Sequence, residues 1–240
     1  MNANPKRPFV VSFWTRLLDI ISPRLCSICG KRLSVSEEAL CVVCNLHLPR
    51  TGFQLNATDN IMARMFWGRI PVERVAALFY YEAGSEACRL VYDLKYHDRP
   101  DIGHIMGHMI ACEFMAADFF NDIDVMVPIP LTRKRQRRRG YNQSQMLAEG
   151  IAEVTQLPIA DKAVKRIHFT ESQTTKSRMD RQYNVESVFT LNQPEAVSGK
   201  HVLLIDDVVT TGATMIACAT ELLKAGNVKV SILSLGYSKK

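Results

Sequence analysis

The sequence predicts an α/β protein, a parallel sheet covered by helices on both faces, with a small cysteine module at its N-terminal end. Three observations predict it. Apolar strand-like runs alternate with helical patterns along most of the chain. Those runs are almost continuously apolar (VAALFYY at 75–81, IDVMVPIP at 123–130, HVLLID at 201–206, VKVSILSLG at 228–236) rather than alternating, as strands buried on both faces require. And four of the seven cysteines fall within nineteen positions near the start.

In chain order, Phe9 to Ile21 has helical spacing, with Phe13, Leu17, Ile20 and Ile21 on one face, and Pro23 ends it. The cysteine module follows to about Leu48-Pro49, and residues 50–74 read as loop. After the strand at 75–81 come helices over Ser85 to Tyr96 and Asp101 to Phe120. The strand at 123–130 stops at its prolines. A loop then carries RKRQRRR, and a helix covers Asn142 to Thr155. A short strand region (162–169) leads into the polar segment TESQTTKSRMDRQYN (170–184). The strand at 201–206 passes through a polar turn into a helix from about Ala213 to Lys224, and the last strand follows Gly226. The domains expected are residues 1–52, the N-terminal helix and cysteine module, and 53–240, the α/β domain.

A hydrophobic content of 47% with 22% charged residues excludes wholesale disorder. No apolar run approaches the roughly 20 residues that span a bilayer. The stretch 9–21 is interrupted by Arg16 and Asp19 and lacks a small-residue cleavage site, so it does not read as a signal peptide. An odd number of cysteines without an export signal points to a reducing, cytoplasmic setting. Thirty basic residues against 24 acidic give a formal charge of +6, and six of the cations are Arg133, Lys134, Arg135, Arg137, Arg138 and Arg139. Without that run the chain is balanced, so the surplus describes one local anion site.

Cys26, Cys29, Cys41 and Cys44 are spaced C-x2-C-x11-C-x2-C. Two such knuckles fit tetrahedral Zn2+ on four thiolates, a closed and therefore structural site. His47 is left out because the set is already complete. His104 and His108, four apart on a helix, lack a third ligand and read as an ordinary amphipathic face. Cys88, Cys112 and Cys218 read as buried small hydrophobes.

VLLIDDVVTTGAT (202–214) carries the most chemistry. A buried strand delivers two adjacent carboxylates, Asp206 and Asp207, to the ligand-binding edge of the sheet. Thr210, Thr211, Gly212, Ala213 and Thr214 then open a helix whose free N–H groups suit a phosphate monoester, while the carboxylates suit a sugar diol. A turn and N-cap with no ligand is the plainer alternative for the loop alone. A Walker-A motif and a G-x-G-x-x-G are both missing.

This stretch resembles the 5-phosphoribosyl-1-diphosphate (PRPP) signature of type I phosphoribosyltransferases. The resemblance implies that Asp206 and Asp207 contact the ribose hydroxyls and that residues 210–214 hold the 5-phosphate. It also implies that Mg2+ accompanies PRPP. VPIP resembles that family's diphosphate loop, with Pro128 and Ile129 beside the ligand, and Lys176, Arg178 and Arg181 fall where the family has a mobile loop closing over diphosphate. Together with the cysteine pairs, VPIPLTRKRQRRRGYNQS and QTTKSRMDRQYNV, nearly the full length resembles the ComF family of competence-associated and GntX-like proteins. The basic run keeps three readings open: a solvated charge run, cations for the diphosphate, or contacts to single-stranded DNA with Tyr141 stacking on a base. The chain is then either a phosphoribosyltransferase of unread acceptor or a non-catalytic PRPP- and DNA-binding module working with DNA-uptake proteins. A docking scaffold is the third, weaker reading. The family's variable hood falls on the cysteine module and residues 50–74, which carry no base-reading pattern.

Overall fold

A computed structural model describes residues 23–167 and 188–239. The N-terminal helical stretch and the polar segment with Lys176, Arg178 and Arg181 lie outside the described residues. The described chain falls into two compact units that divide between Leu48 and Pro49, against the 52/53 boundary read from the sequence. Pro49 to Thr51 run along the first strand of the larger unit: the Tyr80 N–H donates to the Pro49 carbonyl and the Thr51 N–H to Leu78.

Among the described residues of the smaller unit, Ile28, Leu33, Ala39, Leu40 and Leu48 are the buried apolar side chains beside Cys26 and Cys41. An antiparallel bridge joins Leu25 and Arg32, closed by Cys26 N–H to Lys31 and Gly30 N–H to Cys26. A short helix, α1 (Val42–Leu46), begins just past Cys41.

In the larger unit the elements run β1 (Val75–Tyr80), α2 (Cys88–Tyr96), α3 (Pro100–Met115), β2 (Val125–Pro128), α4 (Arg133–Arg139), α5 (Gln143–Thr155), β3 (Val164–Arg166), β4 (Phe189–Leu191), β5 (His201–Val209), α6 (Ala213–Leu223) and β6 (Lys229–Tyr237). The main sheet has the order β1-β6-β5-β2, all parallel. A further parallel bridge, Met126 to Ile159, lies on the outer side of β2. β3 and β4 form a separate antiparallel pair. Steps from β1 to β2 and from β2 to Ile159 run one way across the sheet, and the step from β5 to β6 runs back. Right-handed crossovers therefore put α3 and α5 on one face and α6 on the other. The direction reverses between β2 and β5, the crevice where open α/β sheets take ligands.

One contact ties the first face together. α3 and α5 meet backbone to backbone: a Cβ on Gly107 would fall on the Leu147 carbonyl, and one on Gly150 on the His104 carbonyl. Gly103 opens the same seam to Met146 and Leu94. The spacing of Gly103 and Gly107 puts both on one side of α3.

The basic run is a correction to the sequence reading: it is helix, not loop. Thr132 caps it, its hydroxyl accepting from Arg135 N–H, and Gly140 ends it in the left-handed conformation at φ 80°. Arginine and lysine are good helix formers, and three arginines in the last turn meet the negative end of the helix dipole. Cys112 is also corrected, since it is exposed; Cys88 is half-buried and Cys218 buried.

Helix propensity alone makes Gly150→Ala stabilising by about 1 kcal/mol. The crossing predicts the reverse, a loss toward the upper end of the roughly 1–3 kcal/mol typical of overpacking. Urea unfolding of the variant reads the sign directly.

Candidate functional site

β5 runs further than its sequence suggests. Its pairing with β6 continues through Asp206 to Val209, so both carboxylates sit within the strand, and their side chains leave it in opposite directions. Each meets its own partner. Ser144, on the first turn of α5, donates its hydroxyl to Asp206 Oδ1 at 3.0 Å, and the Asp207 N–H donates to the same oxygen at 2.9 Å. Lys95, in the last turn of α2, places its Nζ 2.8 Å from Asp207 Oδ1. Burial, then the neighbouring Asp207 charge, push the Asp206 carboxyl up to about 7, against the pull of its two donors.

Past Val209 the chain turns through Thr210 and Thr211, both exposed, to Gly212. Gly212 has φ 73°, and a Cβ there would lie 3.1 Å from the buried Phe66 ring. Position 212 thus needs glycine twice, for its conformation and for the ring beneath it. Gly212 is also the N-cap of α6 and supplies no side-chain cap; the Ala213 N–H only reaches Thr211 Oγ1 at 3.5 Å. The opening turn of α6 therefore presents its N–H groups and positive dipole end to a hollow of about 30 Å3 lined by Asp206 and residues 208–215.

Across the crevice, β2 ends at Pro128. Pro128 has no N–H, the Ile129 N–H is spent on the Ile205 carbonyl, and the Ile129 carbonyl accepts from Asn142 Nδ2. These two residues shape the strand end and have no free amide to offer a ligand.

Beside the strand ends lies a cleft of about 790 Å3 lined by six cations from three segments: Lys95 of α2, Lys134, Arg135, Arg138 and Arg139 of α4, and Arg166 of β3. Arg133 and Arg137 of the run do not line it. Burial, then Arg135, lower the Arg166 guanidinium, while the Asp206 charge draws it back up. Its guanidinium also lies over the Phe189 ring, 5.2 Å from the ring centre. Tyr141 departs from its expected role: its hydroxyl donates to the Leu94 carbonyl at 2.6 Å, and burial raises it. It closes the last turn of α2 and is not a free stacking ring. The exposed ring at the cleft is Tyr96, 5.5 Å from the Arg139 guanidinium. Sequence reasoning missed Lys95, Arg166, Tyr96 and Ser144. Only Ser144 lay within a noted motif.

In the smaller unit, Sγ atoms of Cys26, Cys29, Cys41 and Cys44 all lie within 4.8 Å of one another, with Cys29 and Cys41 at 3.8 Å. Zn–S bonds of about 2.3 Å in a tetrahedron put sulfurs roughly 3.8 Å apart. N–H groups of Cys41 and Cys44 donate to Cys26 and Cys41 sulfur, both at 3.4 Å. Burial opposes ionisation of Cys26, but N–H donors from Cys29, Cys41 and Ile28 outweigh it and lower the thiol to about 7. Burial raises Cys44 strongly. Four thiols this close share charge poorly without a cation, and a metal such as zinc fits them. His47 Nδ1 turns to the Val43 carbonyl. His104 meets Glu153 at 3.4 Å, and His108 meets Cys112 at 3.7 Å. Among the described residues the four cysteines are the one cluster able to hold a metal.

A reversing parallel sheet, a carboxylate pair on the inner strand and a glycine-capped helix define a class. Residues 101–235 match the phosphoribosyl transferase domain, and the chain belongs to that family. Within it, the relatives point to one branch. The DNA utilization protein YhgH of Escherichia coli K12 is 27% identical over 223 residues, covering 89% of this chain and 96% of its own. Competence protein F of Haemophilus influenzae is 34% identical over 117 residues, 47% of this chain and 49% of its own. Competence protein ComFC of Bacillus subtilis is 36% identical over 102 residues, 42% and 39%. The chain is a ComF-family protein with a phosphoribosyltransferase-like domain. Among solved structures, glutamine PRPP amidotransferase from B. subtilis aligns at 24% identity and a TM-score of 0.40, over 58% of this chain and 30% of its own. Among the described residues no helix is long and apolar enough to cross a membrane.

Because the native Asp206 carboxyl titrates near 7 and the unfolded one near 3.8, the native state holds a proton that the unfolded chain has released between those values. Stability therefore falls as pH rises through that window. An asparagine in its place keeps the accepting oxygen and carries no charge. Asp206→Asn is expected to exceed the wild type in stability at pH 8 by on the order of 1–3 kcal/mol, with the gap closing toward pH 4, measured by urea unfolding across that range.

Proposed function

We propose that this protein binds PRPP at the ends of β2 and β5 and transfers its phosphoribosyl group to an acceptor, releasing pyrophosphate. The observation that carries the reading is the pairing of Asp206 and Asp207 on β5 with the Gly212-capped start of α6. The 5-phosphate sits on the N–H groups of residues 210–214, and the ribose diol donates to the carboxylates. In the transfer, the bond from ribose C1 to the diphosphate oxygen breaks, the electron pair leaves with pyrophosphate, and the acceptor's lone pair forms the new bond as it gives up its proton. The ring is cationic between those events, and the carboxylates that hold its hydroxyls favour that charge. Cations of the 790 Å3 cleft receive the diphosphate. Mg2+ fits the hard oxygens of the diphosphate and, when bound, offsets the charge of the leaving group.

Zn2+ on Cys26, Cys29, Cys41 and Cys44 is proposed as structural, because four protein sulfurs close the site and leave no open position for a substrate. Reduced thiols at this site suit the cytoplasm. Elemental analysis is expected to find one zinc per chain, lost in Cys41→Ser, and iron or no metal contradicts the assignment.

A second reading is favoured by the cleft itself. Six cations exceed what one diphosphate needs, and Tyr96 is exposed at their side. In this reading the cleft takes single-stranded DNA, in keeping with relatives named for DNA utilization and competence, and the chain works with DNA-uptake proteins.

Pyrophosphate release from PRPP separates the two, assayed with nucleobase, amine and single-stranded DNA acceptors. Acceptor-dependent release is the expected outcome. No release with any acceptor, together with salt-sensitive DNA binding lost when 133–139 is neutralised, selects the binding module.

A further inference from the structure

Lys95 belongs to both halves of the site. Its ammonium is 2.8 Å from Asp207 Oδ1, and its side chain also lines the cationic cleft with Lys134, Arg135, Arg138, Arg139 and Arg166. Neither carboxylate lines that cleft. The end of α2 that carries Lys95 is tied to the basic helix on either side: Tyr141, just past α4, donates to the Leu94 carbonyl, and Arg139 lies over Tyr96. The Lys95 backbone is therefore fixed, while its four-carbon stem leaves the ammonium free to move between neighbouring partners.

Asp207 is the acidic partner of that ammonium, and the pairing satisfies a carboxylate whose side chain is only 12% exposed. The same pairing takes up one of the two Asp207 oxygens that the ribose hydroxyls would share. An anion entering the cleft meets six converging cations and competes with Asp207 for Lys95.

We propose that Lys95 is a positioning residue that couples the two subsites: diphosphate in the cleft draws its ammonium away from Asp207, and the freed carboxylate then accepts the ribose hydroxyls. Release of the cation also leaves the acidic pair more negative at the place where the ribose ring becomes cationic, so the leaving group prepares the charge that its departure requires. This inference rests on the PRPP reading and adds an order of events to it.

The coupling is measurable with the two halves of the ligand. Ribose 5-phosphate and pyrophosphate are both anions, and if they bound as rigid neighbours each would weaken the other. Lys95 exchange predicts the opposite sign. In calorimetric titrations, saturating pyrophosphate is expected to tighten ribose 5-phosphate binding to the wild type at least about five-fold, with the reciprocal effect of the same size. In Lys95→Met, ribose 5-phosphate alone binds as well as or better than to the wild type, and that gain disappears. Lys95→Arg, which keeps the charge, restores part of it. Unfolding midpoints of both variants, read alongside, separate a lost coupling from a lost fold. Equal coupling in wild type and Lys95→Met overturns the proposal, as does binding of both ligands to the wild type without positive coupling. Failure of the wild type to bind either ligand is a different result: it removes the PRPP reading, and this inference with it.

Discussion

The backbone-to-backbone crossing of α3 and α5 is the constraint on which the site depends. Glycines at 103, 107 and 150 let two helices approach until side chains no longer separate them, and interiors packed this closely do not adjust by small amounts. The position of α5 sets where its first turn meets the sheet. From that turn Asn142 reaches the Ile129 carbonyl at the end of β2, and Ser144 reaches Asp206 on β5. Leu94 lies against the same seam at Gly103, one residue before the lysine that pairs with Asp207. Both partners of the acidic pair are thus placed by one contact outside the chemistry.

Electrostatics give that geometry its use. A largely buried pair of carboxylates stands beside a cleft of six cations, and one of the six, Lys95, reaches Asp207. Burial costs Asp206 its easy ionisation and raises it to about 7, and in the proposed transfer the cationic ring favours the charged form. Charge of one sign focused in a cleft also steers anions toward it over distances of about a Debye length, roughly 8–10 Å.

Much of this was legible in the sequence, for identifiable reasons. β5, the acidic pair and the turn at 210–214 are local in the chain, so their pattern carries the chemistry by itself. The cysteine set was legible because ligand spacing within a knuckle is set by one tight turn. What stayed hidden depends on distant segments. Lys95 is an ordinary helical lysine until tertiary folding brings it to Asp207, more than a hundred positions away. Gly103 and Gly107 read as weak points in a helix until α5 is laid across them. The basic run did carry a local signal, a threonine before it and a glycine after it, but the density of charge masked a capped helix. Tyr141 looked available because its partner, the Leu94 carbonyl, comes from another helix.

The ends of β2 and β5 are proposed to form a PRPP site built on Asp206 and Asp207, and every later step of the chemistry rests on that site. Calorimetric titration of PRPP with Mg2+ into the wild type, and into the doubly substituted Asp206→Asn, Asp207→Asn protein, tests it most directly. Saturable one-to-one binding to the wild type, and its loss in the folded variant, is the predicted result. Unchanged affinity in the variant, or no binding to the wild type, contradicts it.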